Sequence, residues 1–252
     1  MQILFYTYRL FIKILAFIGL GVIMSGCTSH ITQPIPQFNW QPQVQDVSKK
    51  INLALIKPVY KAESGFLFYK NNKYLKLFLG SLQTDLQKGL LAKGITVTGA
   101  FGSFDEMTFP NKQATDLVLV PEVTLVLDGN FSENKEQPLG TDGSKSIDIK
   151  GLITFSGFTT FTLIEPISEQ KIWIKRVNLP EQSENILTDL LIGGDGSLNP
   201  FHPNVDNRDA AFVNALNKIY PAIMQQFWNH LNADEITILK KAAKDARALK
   251  RF

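Results

Sequence analysis

Residues 116–128 read DLVLVPEVTLVLD, and residues 147–164 read IDIKGLITFSGFTTFTLI. In the first run Leu117, Leu119, Val123, Leu125 and Leu127 fall on one face, with Glu122, Thr124 and Asp128 on the other. In the second, Ile147, Ile149, Ile153, Phe155, Phe161 and Leu163 share a face. Lys150, Thr154, Ser156, Thr160 and Thr162 lie opposite. A two-residue period held this long marks strands with one face in a core and the other towards solvent. Pro121 brings no ladder donor, so it predicts an edge position or a bulge. Gly151 and Gly157 are natural bend points. Glu165-Pro166-Ile167-Ser168 predicts a turn, and residues 171–179 (KIWIKRVNL) the return strand of a hairpin.

Outward from this pair, residues 51–59 (INLALIKPV) predict a short buried strand ending near Pro58, and residues 95–101 (ITVTGAF) an alternating one. Between them, residues 69–93 carry Tyr74 or Leu75, then Phe78, Leu82, Leu86 and Leu90 at three- and four-residue steps. That stripe predicts an amphipathic helix, with Gly94 placed for a left-handed cap. Residues 129–146 are polar and predict a loop. Residues 183–191 predict a short helix and residues 193–207 a second loop. Asp206 or Asn207 then caps a helix whose stripe is Phe212, Leu216, Ile219, Ile223, Phe227 and Leu231. Pro221 inside it predicts a kink or a tightened turn. Asn232 and Glu235 have capping-box spacing and predict a final helix to Leu249. The order predicts an α+β fold: a largely antiparallel twisted sheet, with a long N-terminal helix and C-terminal helices packed on it. One domain over residues 49–252 is expected.

The N-terminus reads differently. Arg9 and Lys13 are its only charges before an apolar run from Ile14 to Met24, followed by Ser25-Gly26-Cys27. A positive start, a short apolar stretch and small residues before a cut site make a secretory signal. A cysteine directly after the cut makes it a bacterial lipobox. The run is too short to span a bilayer, which takes about 20 apolar residues. Residues 1–26 are therefore expected to be a lipoprotein signal peptide and Cys27 the site of lipid attachment. Thr28 at the next position favours the outer membrane. Residues 27–48, rich in Gln, Pro, Thr and Ser, predict a lipidated tether that docks on the domain near Phe38 and Trp40.

The formal charge is +3, and two of the basic residues, Arg9 and Lys13, lie in the signal. A nucleic-acid footprint needs a concentrated basic face, so no nucleic-acid partner is expected. Cys27 is the only cysteine, which leaves the domain without a disulfide. The three histidines, His30, His202 and His230, stand in a tether, a loop and a helix. No paired ligand spacing joins them, so no metal and no cofactor are expected. No nucleophile elbow and no phosphate loop occurs, so no catalytic residue is assigned and the chain is not expected to be an enzyme. Gly193-Gly194-Asp195-Gly196 reads as a flexible connection. Lys240, Lys241, Lys244 and Arg247 either face solvent or meet acidic headgroups. The Thr154, Ser156, Thr160 and Thr162 row either faces solvent or presents hydroxyls to a sugar.

Several stretches resemble the neuraminyllactose-binding haemagglutinin lipoprotein family. They are Ser25-Gly26-Cys27 with His30-Ile31; Thr162-Leu163-Ile164-Glu165-Pro166 with Ser168; Asn207-Arg208-Asp209-Ala210; Ala215-Leu216-Asn217-Lys218-Ile219; Ile223-Met224-Gln225; and Lys244-Asp245-Ala246 with Leu249-Lys250. The resemblance implies an outer-membrane or flagellar-sheath lipoprotein at the cell surface, with a binding or structural role in adhesion and sialylated host glycans as partners. The family's proposed sugar-binding stretch is of Lys-Arg-Thr type. The corresponding residues 129–136 read GNFSENKE, without the Lys-Arg pair, so the ligand-binding residues are unknown and the chain resembles a paralogue. A second expectation is a periplasm-facing accessory lipoprotein of an envelope transport complex, with an envelope protein as partner. In either case the membrane is reached through the N-terminal lipid.

Overall fold

A computed structural model of the chain describes residues 51–62, 73–139, 144–192, 198–200, 206–231 and 233–249. All of these lie in one compact unit, Ile35–Phe252. Cys27, the signal and the tether fall outside the described residues.

The backbone of the fold is the pair β4 (Leu117–Leu139) and β5 (Ser144–Ile164), antiparallel from Val118 opposite Ile164 to Leu139 opposite Ser144. The expected loop over residues 129–146 is corrected here, because β4 runs on through residue 139. Those residues are polar, but the ladder is made by backbone groups, so a register fixed by residues 117–128 propagates past the apolar stretch.

On the other side of β4 lie β1 (Asn52–Ile56) and β2 (Val59–Ala62), both parallel to it. β1 pairs with Leu117–Leu119 and β2 with residues 122–125. Pro121 falls in the gap between them, where no parallel partner needs its missing N–H. It is therefore in a central strand: of the expected edge or bulge, the edge does not occur, and the parallel register shifts by one residue across Pro121, from Leu55 opposite Leu119 to Val59 opposite Glu122. β3 (Thr96–Phe101) pairs parallel with β1 across the helix α1 (Lys73–Ala92). A helical crossover between neighbouring strands imposes that direction. The sheet is consequently mixed, in the order β3-β1-β4-β5 and onwards. The expectation of a largely antiparallel sheet holds for its second half only.

β6 (Lys171–Asn178) and β7 (Gln182–Ile192) share the far side of β5, both antiparallel to it. β7 takes residues 145–155 and β6 takes residues 158–164. Gly157, at the handover, has φ 140°, and a Cβ there would lie 2.1 Å from the Thr124 carbonyl oxygen. Only glycine fits. Gly151, the other expected bend, stays in regular register with both neighbours. The helix expected over residues 183–191 is strand β7. Ile186 and Thr188 alternate inward, and the open edge of β5 supplies a partner that outweighs local helical pattern. A three-residue strand, β8 (Leu198–Pro200), pairs with the end of β7 inside the stretch expected to be loop; the Gly193–Gly196 segment lies outside the described residues.

Three helices cover one face of this sheet: α1, α3 (Arg208–His230) and α4 (Ala233–Leu249). The α1 stripe Leu75, Phe78, Leu82, Leu86 and Leu90 is buried, and Gly94 caps it at φ 73°. The α3 stripe Phe212, Leu216, Ile219, Ile223, Phe227 and Leu231 is buried as expected. Pro221 lies inside α3 without ending it, its ring exposed. Phe212 meets Phe155, and Phe227 meets Phe161, with ring centroids 5.7 and 5.6 Å apart. On the opposite face a strap made of a 3₁₀ turn (Phe104–Glu106) and the short helix α2 (Phe109–Ala114) covers Ala54, Ile56 and Val118. Among the described residues no helix covers the rest of that second face.

Candidate functional surface

Polar tethers join the helices to the sheet. Glu165, wholly buried, accepts from the backbone N–H groups of Ile167 and Ser168 and from Arg247 of α4. Asp116 accepts from the Asn52 backbone N–H at 2.9 Å and from Lys240 at 2.7 Å. Glu235 accepts from the Trp173 indole at 3.1 Å; Asn232, its partner in the expected capping box, lies outside the described residues. Between α1 and α3, Tyr220 donates to buried Asp85 at 2.7 Å. Lys93 is buried with its ammonium 4.1 Å from the Trp228 ring centroid, and burial pushes its pKa down.

These contacts decide two sequence expectations. Lys240 and Arg247 serve the domain's interior, and only Lys241 and Lys244 of that cluster face solvent, so the four do not form one free basic patch. His230 is half-buried; burial and then the Lys175 ammonium push its pKa down, against Glu235. Among the described residues no group of three or more His, Cys, Asp and Glu is placed to hold a metal. His30 and His202 lie outside them.

The open face of the sheet carries the polar row expected from β5. Thr154, Ser156, Thr160 and Thr162 are half-buried there, and Thr154 shares a 3.0 Å hydrogen bond with Ser183 of β7. Across the strands the register sets Glu122, Thr160 and Arg176 side by side. Glu122 is paired with Lys61 at 2.7 Å. Arg176 instead lies over Phe158, its guanidinium carbon 3.3 Å from the ring centroid, a separation that a guanidinium reaches face-on. Further along this face a shallow depression of about 400 Å³ is lined by Lys150, Gly151, Leu152, Asn185, Ile186 and Leu187. Alternation had marked the threonines but not Arg176 or Phe158, which come together only through the β5–β6 register. The 129–136 stretch lies in the outer half of β4, residues 129–134 opposite 148–153 with the register shifting between Asn134 and Gln137.

Among the described residues no helix is long and apolar enough to cross a membrane. Residues 32–250 match the family model described as "Neuraminyllactose-binding hemagglutinin precursor". A Helicobacter pylori "Neuraminyllactose-binding hemagglutinin" is 24% identical over 242 residues, covering 91% of each chain. The protein of the same name from strain J99 is 24% identical over 246 residues, covering 92% of each. A crystal structure of a Helicobacter pylori homologue of that hemagglutinin superposes with a TM-score of 0.59 at 17% identity, covering 83% of this chain and 97% of the other. This last likeness is one of fold.

Proposed function

Because the chain belongs to the neuraminyllactose-binding haemagglutinin family, we propose that it is a lipid-anchored outer-membrane lipoprotein with a non-catalytic binding or structural role at the cell surface or flagellar sheath. The observation that carries this reading is the family match over residues 32–250, which begins just after the Ser25-Gly26-Cys27 signal. In this reading residues 1–26 are removed, Cys27 becomes the lipidated N-terminus, and residues 27–48 tether a domain that starts near residue 49. Acyl chains contribute about 0.8 kcal/mol of membrane affinity per buried methylene, and more than one chain is needed for stable anchoring. The relatives' name supplies the ligand class: a glycan ending in an acidic sugar.

Intact-mass measurement of membrane-extracted protein tests the anchor. The expected mass is that of a chain starting at Cys27 plus acyl groups; an unmodified chain starting at Met1 overturns it. Protease added to intact cells tests the surface. Digestion is expected, and full protection would favour a periplasm-facing accessory lipoprotein of an envelope complex.

A further inference from the structure

Among the described residues the second sheet face holds a cation, Arg176, that no carboxylate pairs with. We propose that Arg176, held on Phe158 and flanked by Thr160 and Thr162, is the residue that receives the carboxylate of an acidic saccharide. This rests on the glycan reading above and gives it a site away from residues 129–136.

Arg176 is exposed, and among the described residues no acid pairs with it. The acid in its row, Glu122, sits beyond Thr160 and is held by Lys61. Stacking on Phe158 uses the flat face of the guanidinium and leaves the N–H edges free, in the planar fork that matches a carboxylate. The stack also fixes a long side chain before any ligand arrives, which lowers the entropy lost on binding. Thr160 stands directly opposite Arg176, and Thr162 opposite Ile174. Both hydroxyls can donate to or accept from sugar hydroxyls.

The same face argues against other occupants. Its exposed large apolar residues, Val59, Leu152 and Ile174, stand singly on three different strands, whereas a stable protein interface needs a buried apolar centre. One fixed arginine is far short of the basic cluster that holds an anionic lipid surface.

The test is binding of neuraminyllactose and of lactose to the detergent-extracted lipoprotein, measured by calorimetry on wild type, Arg176→Ala and Arg176→Lys. Wild type is expected to bind neuraminyllactose at least tenfold more tightly than lactose. Both variants should lose tenfold or more for neuraminyllactose with unchanged melting temperature, since lysine keeps the charge but not the fork. Should either variant unfold, Thr160→Val serves in its place and should weaken binding severalfold. Unchanged binding in folded variants overturns this site and leaves the glycan reading standing. Equal binding of both sugars overturns the carboxylate role. No binding of either sugar by wild type overturns both.

Discussion

Arg247 Nε lies 2.6 Å from Glu165 Oε1, joining the last helix to the turn between β5 and β6. The same guanidinium donates to the Thr115 carbonyl at 3.0 Å, so one side chain ties α4, the β5–β6 turn and the entrance to β4. Burial alone would push the Glu165 carboxyl up; the N–H donors of Ser168 and Ile167, with Arg247, more than offset it and hold it below the ordinary carboxylate range. A depressed folded value means stability that is full above the unfolded pKa and lost as pH falls towards the folded one. Arg247→Ala strands a buried carboxylate and should cost about 3 kcal/mol at neutral pH. Glu165→Gln should be destabilised at neutral pH, yet lose less melting temperature than wild type between about pH 5 and about pH 3. Parallel losses in the two proteins would contradict this account.

The Tyr220–Asp85 bond makes the opposite prediction at alkaline pH. Burial first, then the Asp85 charge, push the Tyr220 phenol far above its ordinary value. Its ring also packs edge-on to Phe78, centroids 5.6 Å apart. A raised folded pKa gives stability that is full below the unfolded value of about 10 and falls as pH rises beyond it. Tyr220→Phe removes that alkaline loss while leaving Asp85 without its hydroxyl donor, at a cost of about 1–2 kcal/mol near neutrality. Denaturant unfolding at about pH 8 and about pH 10.5 reads both effects; an equally steep alkaline loss in the variant would refute the assignment.

Two glycines should respond in opposite directions to alanine. At Gly157 the positive φ and the Thr124 carbonyl leave no room for a Cβ, so Gly157→Ala should cost about 3 kcal/mol or more through backbone strain. At Gly80, inside α1, a Cβ meets nothing within 4 Å. Gly80→Ala should stabilise by about 0.5–1 kcal/mol, the helix-propensity difference. Melting curves of the pair test whether β5 needs its handover at residue 157. A tolerated Gly157→Ala would mean that the strand can change partners without the bend.

Periodicity identified the strands and helices that have a buried face, because that face leaves a spacing in the sequence. Leu75 to Leu90 and Phe212 to Leu231 are such cases. It failed where structure rests on backbone pairing or on distant partners. Residues 129–139 extend β4 without an apolar face, and residues 183–191 became strand because β5 offered an open edge. The functional surface shows the same limit. Thr154, Ser156, Thr160 and Thr162 were visible as one face, while Arg176 and Phe158 meet only through register. Arg247 looked like a surface cation until Glu165, 82 positions earlier, was found beneath it. The resemblance had marked the Leu163-Ile164-Glu165-Pro166 turn and the residues around Arg247 without showing that they touch.

Asn207 also belongs to a stretch marked by resemblance, and its role is at a sheet edge. Asp206 or Asn207 was expected to cap α3; the Asn207 side chain makes no cap bond, and Asp206 accepts the Arg208 N–H. Asn207 faces β7 as a further strand would. Its backbone N–H donates to Leu187 O at 3.1 Å, its Oδ1 accepts from Leu187 N at 2.7 Å, and its Nδ2 donates to Asn185 O at 3.0 Å. One residue thereby closes a stretch of β7 that the short β8 does not reach, an edge that would otherwise invite another chain. Asn207→Ala should cost about 1 kcal/mol, the worth of a hydrogen bond at a half-buried N–H, and should produce concentration-dependent association in sedimentation velocity. Asn207→Asp keeps an acceptor for the Leu187 N–H and loses only the donor to Asn185, so it should fall between alanine and wild type. Amide exchange at Leu187 reads the bond directly: protection should drop in the alanine variant and largely survive in the aspartate one. If Leu187 stays fully protected in Asn207→Ala, the carboxamide is not what closes the edge.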